Sequence, residues 1–213
     1  MKTAIIGLGN IGAALARNLA TGGEHVIVAD RSLPKAQKLA QELGGKATAL
    51  SIAEAVREAD VIIPAIYFDA IKGFLAEYRS ALKGKIIVDP SNPLGPDGKG
   101  GFKKIIPADQ SSGMILSALV PGDAEFVKAF GTLSAPSLAS AANRKPDPAV
   151  LFYASDYPEA GRAVAKLINA SGFAPVSVGG VKNSLRIEVG GDLHEFGGLG
   201  KLVSAKEAEA IVG

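Results

Sequence analysis

Apolar residues gather along this chain in short runs separated by longer amphipathic stretches. Residues 3–6, Thr3-Ala4-Ile5-Ile6, are too few for a core helix and right for a buried parallel strand. Similar runs stand at 26–29, 61–66, 85–88, 126–130 and 150–154, with shorter ones at 47–49 and 174–178. Between them the period changes to that of a helix. Ile11, Leu15 and Leu19 share one face. Pro34 suits the first turn of a second helix with Ser32 as its cap, stopped by Gly44-Gly45. Ser51 and Glu54 form a capping box ahead of a third, and Tyr67-Phe68-Asp69 opens a fourth that is expected to run to about Leu82. Ser111-Ser112 is expected to cap a helix to Leu119, and Asp156 and Glu159 read as a capping box for one reaching Ala170. Residues 94–101 and 135–148 are expected to be loops, and Ser204 to Glu207 reads as a capping box for a last short helix.

Regular alternation of strand and helix predicts an α/β fold: a doubly wound, Rossmann-like parallel sheet with a smaller C-terminal α/β extension. The division is expected at residues 1–122 and 123–213, or as one continuous domain. Pro64 lacks a ladder N–H, so pairing must break there, and Pro175 places its strand at an edge.

Between the first two strands the chain reads Gly7-Leu8-Gly9-Asn10-Ile11-Gly12, and the second strand ends at Asp30. Strand, Gly-rich turn, helix, strand and acid at this spacing are the dinucleotide-binding unit. Gly7 permits the tight turn, Gly9 lets a pyrophosphate approach the backbone, and Gly12 lets helix and strand pack closely. The helix start offers unpaired N–H groups and a partial positive charge to the diphosphate. In such sheets ligands lie beyond the carboxyl ends of the strands, which lines Gly7, Asp30, Ile66-Tyr67 and Asp89 to Asn92 along one edge.

Composition narrows the chemistry. A net charge of +2 with scattered Lys and Arg gives no nucleic-acid footprint. The absence of cysteine removes disulfides, thiolate nucleophiles and Cys-ligated zinc. Two histidines, His25 and His194, are too few for a His-rich metal site, so no metal is expected. No apolar run reaches the ~20 residues that span a bilayer. With a strand at the start in place of a signal peptide, a soluble cytoplasmic protein is expected.

Asp30 and Arg31 give opposed instructions about the nucleotide. A carboxylate there accepts from ribose hydroxyls and favours NAD, whereas Arg31 with Ser32 and Lys35 can hold the 2′-phosphate of NADP. Asn92 is a candidate for the nicotinamide ribose or the second substrate. His25 reads as a turn residue. His194, in the Gly-rich tail, is the histidine with a route to the cleft, and Thr132 and Tyr67 are the other candidate proton donors. No nucleophile elbow or Ser-His-Asp pattern is present. The tail GGDLHEFGGLG is too Gly-rich for a stable helix. Its Leu193, Phe196 and Leu199 are expected to cover the cleft or a second subunit.

The segments IIGLGNIGAALARNLATGGEHVIVADRS, ADVIIPAI, IIVDPSNP, VKAFGTL, ASDYPEAGRAVAKLINASGFAPVSVG and RIEVGGDLHEFGGLG together resemble the family of coenzyme F420-dependent NADP reductases. The reductase domain of the STEAP metalloreductases is similar to the same group. The resemblance implies NADP(H) bound at Gly7, Gly9, Asn10, Ile11 and Gly12, with Asp30, Arg31 and Ser32 facing the 2′-phosphate. It implies a deazaflavin F420 or flavin co-substrate near VKAFGTL and the tail, and a homodimer. Deazaflavin reductases that resemble the chain usually carry Ser-Arg where it has Asp30-Arg31, and Asn-Thr or His-Thr where it has Gly131-Thr132. Hydride transfer between a nicotinamide and a stacked planar ring needs orientation rather than an acid or base, which matches the thin catalytic inventory. Two alternatives are an imine or carbonyl reductase like the pyrroline-carboxylate reductases, and a non-catalytic NAD(P)-binding sensor.

Overall fold

Four-residue strands with every side chain buried must be covered on both faces, and the helices provide that cover. The computed structural model describes residues 1–212. Its strands are β1 (Thr3–Ile6), β2 (Val26–Ala29), β3 (Ala47–Ala49), β4 (Val61–Pro64), β5 (Ile86–Asp89), β6 (Leu94–Pro96), β7 (Phe102–Lys104), β8 (Glu125–Lys128), β9 (Val150–Tyr153) and β10 (Ala174–Ser177). Its helices are α1 (Asn10–Thr21), α2 (Leu33–Glu42), α3 (Ile52–Glu58), α4 (Phe68–Glu77), α5 (Ser112–Ser117), α6 (Ala135–Ser140), α7 (Pro158–Ala170), α8 (Ser184–Ile187) and α9 (Ala205–Val212).

Six strands form one parallel sheet in the order β3-β2-β1-β4-β5-β8. The chain winds one way from β1 to β3 and the other way from β4 onward. The switch point therefore falls between β1 and β4. Alternation sorts the side chains: Ile5, Val28, Ile63, Val88 and Val127 meet α1, α6 and α7 on one face. Ala4, Ile6, Ile27, Ile62, Ile87 and Phe126 meet α3, α4 and α5 on the other. Leu15 and Leu19 of α1 are fully buried, each contributing about 1.5–3 kcal/mol of transfer free energy.

Pro64 pairs with Ile6 of β1, while pairing with β5 stops at Ile62. The sheet also crosses the expected 122/123 boundary, because β8 pairs with β5. Beyond it β9, α7 and β10 form a second parallel βαβ unit, with β10 at the edge, joined to β8 by a bridge between Lys128 and Ala154.

Several local expectations are corrected. Helix α4 ends at Glu77 rather than Leu82, and its last turn gives way to turns through Gly84. Residues 94–101 are not simply a loop: β6 and β7 make an antiparallel hairpin across them. Residues 135–140 form α6, where Ser134 accepts from the Ser137 N–H and Pro136 sits in the first turn. Asp156 makes no capping box; its carboxylate accepts from the Val181 N–H, and Tyr157 begins α7 without a side-chain cap. Ser32 begins α2 without a side-chain cap as well. In the tail, a 3₁₀ turn (Val181–Asn183) runs into α8, one helical turn where none was expected. The capping boxes at Ser51/Glu54 and Ser204/Glu207 form as read.

Candidate active site

Every loop at the carboxyl end of the sheet carries a residue singled out by the sequence. Gly7 turns the chain off β1 at φ +89°, a conformation that excludes most side chains. A Cβ at Gly7 would meet the Ile66 side chain, so Ile66 supports the turn from below. A Cβ at Gly12 would overlap the Gly7 carbonyl oxygen, which is the close helix–turn packing expected. Gly9 is the cap residue of α1, and a Cβ there would meet nothing within 4 Å. The start of α1 has no side-chain cap and no acid in its first turn. Asn10 is exposed and Ile11 half-buried there. An open backbone cradle in front of an uncapped helix start fits a diphosphate.

Asp30 follows β2. Its carboxylate accepts from the Leu8 N–H at 2.8 Å and the Ser32 N–H at 3.1 Å, and Lys35 Nζ lies 3.3 Å away. Burial pushes this carboxyl up, but the two N–H groups and the Lys35 ammonium outweigh it, leaving the pKa below the ordinary aspartate value. Arg31 is exposed and has no ion pair among the described residues.

Tyr67, just after β4, is 78% exposed. Asn92, after β5, is committed on both sides of its amide. Nδ2 donates to the Gly131 carbonyl at 2.9 Å and Oδ1 accepts from the Val189 N–H at 2.7 Å. It joins the β5 loop, the β8 loop and the tail.

The tail is sewn to the same loops. His194 is buried, and its Nδ1 accepts from the Phe196 N–H at 3.0 Å. Nε2 therefore carries the proton and donates to the Gly131 carbonyl at 3.1 Å. Burial lowers the His194 pKa, only partly offset by Glu195 and the Gly131 carbonyl, so the ring is neutral near pH 7. With both nitrogens used, His194 is a structural tie and not a proton donor, which corrects its candidacy. Thr132 is buried, and its hydroxyl has no hydrogen-bond partner. Glu195 accepts from the Ser134 N–H at 2.6 Å. Leu193 packs on β9 and β10, with Leu199 against the same cluster, while Phe196 stays 68% exposed. His25 bonds the Gly45 carbonyl and the Thr48 hydroxyl, in keeping with a turn residue.

Beneath these loops lies a cluster the sequence reading missed. Lys128, buried at the end of β8, is 2.6 Å from Asp89. It also donates to the Ser91 carbonyl and to the Ser112 hydroxyl, and lies 3.9 Å from Glu188. Glu188 in turn accepts from the Ser111 hydroxyl at 3.0 Å and from the Ser112 and Gly113 N–H groups at 3.0 and 2.8 Å. The available signal was a lysine inside the apolar run Phe126 to Phe130, since a charge in a buried strand requires partners.

Away from these loops, a cavity of about 350 Å³ lined by Lys2, His25, Thr48 and Arg57 lies at the amino ends of β1 and β2. Among the described residues no cluster of His, Cys, Asp or Glu could hold a metal ion. No helix there is long and apolar enough to cross a membrane.

Comparison with known proteins places this geometry. Residues 2–93 match the family described as NADP oxidoreductase, coenzyme F420-dependent. The F420-dependent NADP reductase of Methanothermobacter marburgensis is 34% identical over 102 residues, 44% of this chain and 46% of that one, so the match spans about half of that relative. The F420-dependent NADP reductase of Methanothermobacter thermautotrophicus is 28% identical over 199 residues, 88% of this chain and 85% of that one. A solved structure of a hypothetical protein from Sinorhizobium meliloti is 32% identical, with a TM-score of 0.84 over 96% of this chain and 95% of that one. An open cradle at the switch point of a parallel sheet and these likenesses agree: this NAD(P)-dependent oxidoreductase is similar to the coenzyme F420-dependent NADP reductases, with residues 2–93 carrying the family match.

Proposed function

We propose that the chain passes hydride between NADP(H) and a second planar redox compound, a deazaflavin of the F420 class first and a flavin second. Gly7, Gly9, Asn10, Ile11 and Gly12 cradle the pyrophosphate, and Arg31 and Ser32 face the 2′-phosphate. The nicotinamide supplies or accepts the hydride when bound.

The observation that carries this reading is the poverty of acid–base groups at the carboxyl ends of β4, β5 and β8. Lys128 and Asp89 neutralise each other below the surface, His194 is fully bonded, and the Thr132 hydroxyl is buried. What the rim presents is aromatic: Tyr67 and Phe196, both largely exposed. Such a rim orients a flat ring and leaves the barrier to alignment of the two reacting carbons. An imine or carbonyl reductase needs a proton donor, and Tyr67 is the candidate left for it.

Rapid mixing of NADPH-loaded protein with a deazaflavin or with FMN should bleach the nicotinamide absorbance. Tight NADPH binding without bleaching by either acceptor would sink the reading. Tyr67→Phe should keep most of the transfer rate; a loss of roughly a hundredfold or more would point to proton donation and the imine or carbonyl class.

A further inference from the structure

The ionic cluster beneath the loops is not balanced. Asp89, Lys128 and Glu188 are all buried, none more than 1% exposed. Lys128 gives its three N–H donors to the Asp89 carboxylate, the Ser91 carbonyl and the Ser112 hydroxyl. None is left for Glu188, which lies 3.9 Å away. Asp89 also accepts from the Ser91 N–H at 2.8 Å. Glu188 is held by neutral donors alone, the Ser111 hydroxyl and the Ser112 and Gly113 N–H groups. Such donors favour a carboxylate and spread its charge, but they do not cancel it. Among the described residues no second cation pairs with either carboxylate. Two carboxylates and one ammonium leave one negative charge in excess, in surroundings where salt screens it poorly.

The topology of the sheet says which half of a dinucleotide that charge would face. In a doubly wound sheet the nucleotide lies across the switch point, with its adenosine half toward the acid after the second strand. That acid is Asp30, so the nicotinamide half belongs with the loops after β4, β5 and β8. Asp89 ends β5 and Lys128 ends β8, which puts the cluster on the nicotinamide side. Nicotinamide is neutral when reduced and positive when oxidised. A fixed negative charge on its side stabilises the oxidised form relative to the reduced one.

We propose that Glu188, brought by the tail to a Lys128 already matched by Asp89, supplies a surplus buried negative charge that biases bound nicotinamide toward its oxidised form and makes NADPH the stronger hydride donor. The proposal rests on the NADP(H) reading given above and adds a preferred direction to it: two electrons leave the nicotinamide as hydride, and the planar acceptor takes them. Glu188 acts through its charge and is not a catalytic residue.

Calorimetric titration of the full chain with NADP+ and with NADPH tests it without turnover. A purely structural role would move both affinities together, whereas a charge moves their ratio. Glu188→Gln should raise the Kd of NADP+ relative to that of NADPH by roughly threefold to tenfold. A tenfold change is about 30 mV in the potential of the bound two-electron couple. Glu188→Asp keeps the charge and shortens the reach, so any loss should fall on both nucleotides and leave the ratio within about threefold. A ratio that moves less than threefold in Glu188→Gln, or moves the other way, overturns the proposal alone, since the nucleotides still bind. An equal ratio shift in Glu188→Asp assigns the effect to shape and also overturns it. If Glu188→Gln does not fold, Asp89→Asn decides by the same criterion, because it removes a like charge from the other side of Lys128. Binding of NAD+ and NADH by the unaltered protein, without binding of NADP+ and NADPH, overturns the NADP(H) reading alone, and the ratio is then read with that pair. Binding of neither pair overturns both.

Discussion

The Gly-rich turn with its brace, and the tail with its ties, face the same cleft but are built in opposite ways. In the first, Leu8 and Asp30 are bonded across 22 residues, and Asp30 and Ser32 across 2. In the second, Val189 bonds Asn92 across 97 residues, Glu188 bonds Ser111 across 77, and His194 reaches Gly131 across 63. One is a local device that any strand–turn–helix unit can carry. The other exists only because the whole chain has wound the sheet that brings β5, β8 and the tail together. A loop of the first kind shows itself in spacing, whereas a network of the second kind leaves scattered polar residues with no common motif.

This contrast can be broken, beginning with the largest expected effect. Lys128→Met leaves Asp89 and Glu188 buried without their cation and should cost about 3–5 kcal/mol of unfolding free energy in a denaturant titration. If the loss is under about 1 kcal/mol, the cluster is not what holds the tail to the sheet. Gly12→Val forces a side chain onto the Gly7 carbonyl and should cost about 1–3 kcal/mol or more. It should also remove NADPH binding while the tail stays protected from hydrogen exchange. Loss of tail protection in that variant would show the two regions to be one cooperative unit. The converse change, Asn92→Ala, strips two ties from the tail and should cost about 1–3 kcal/mol. Hydrogen exchange at residues 188–200 should rise with the NADPH Kd little changed; a Kd shift of tenfold would mean that Asn92 touches the nucleotide after all.

The smallest effect is a pH dependence. The folded pKa of His194 lies below its ordinary value of 6.5. Above 6.5 both states carry neutral imidazole and the histidine costs nothing. As pH falls below 6.5 the unfolded chain binds a proton that the folded tail refuses, so stability falls. Thermal melts should show Tm declining below about pH 6.5, and His194→Gln should flatten that decline without affecting melts above it. An unchanged slope would assign the titration to other groups.

The sequence by itself determined the frame of this protein. Residues 3–6, 26–29, 61–66 and 85–88 announce themselves as buried strands because parallel strands covered on both faces are near-continuous apolar runs. Gly7, Gly9 and Gly12 announce the cradle because backbone sterics at those points admit little else. The capping boxes at Ser51 and Ser204 were legible for the same reason, each closing within three residues. The hairpin at 94–104 and the helix at 135–140 were hidden, being short elements whose stability comes from what they rest on rather than from periodicity. Only the tertiary structure decided the roles of the polar residues. Asn92 became a tie and His194 a buried neutral ring, while Asp30 turned inward to the loops it joins. Lys128 gained Asp89 from the neighbouring strand and Glu188 from sixty residues further along the chain. A polar side chain is defined by its partners, and where those partners are distant in sequence the fold alone supplies them.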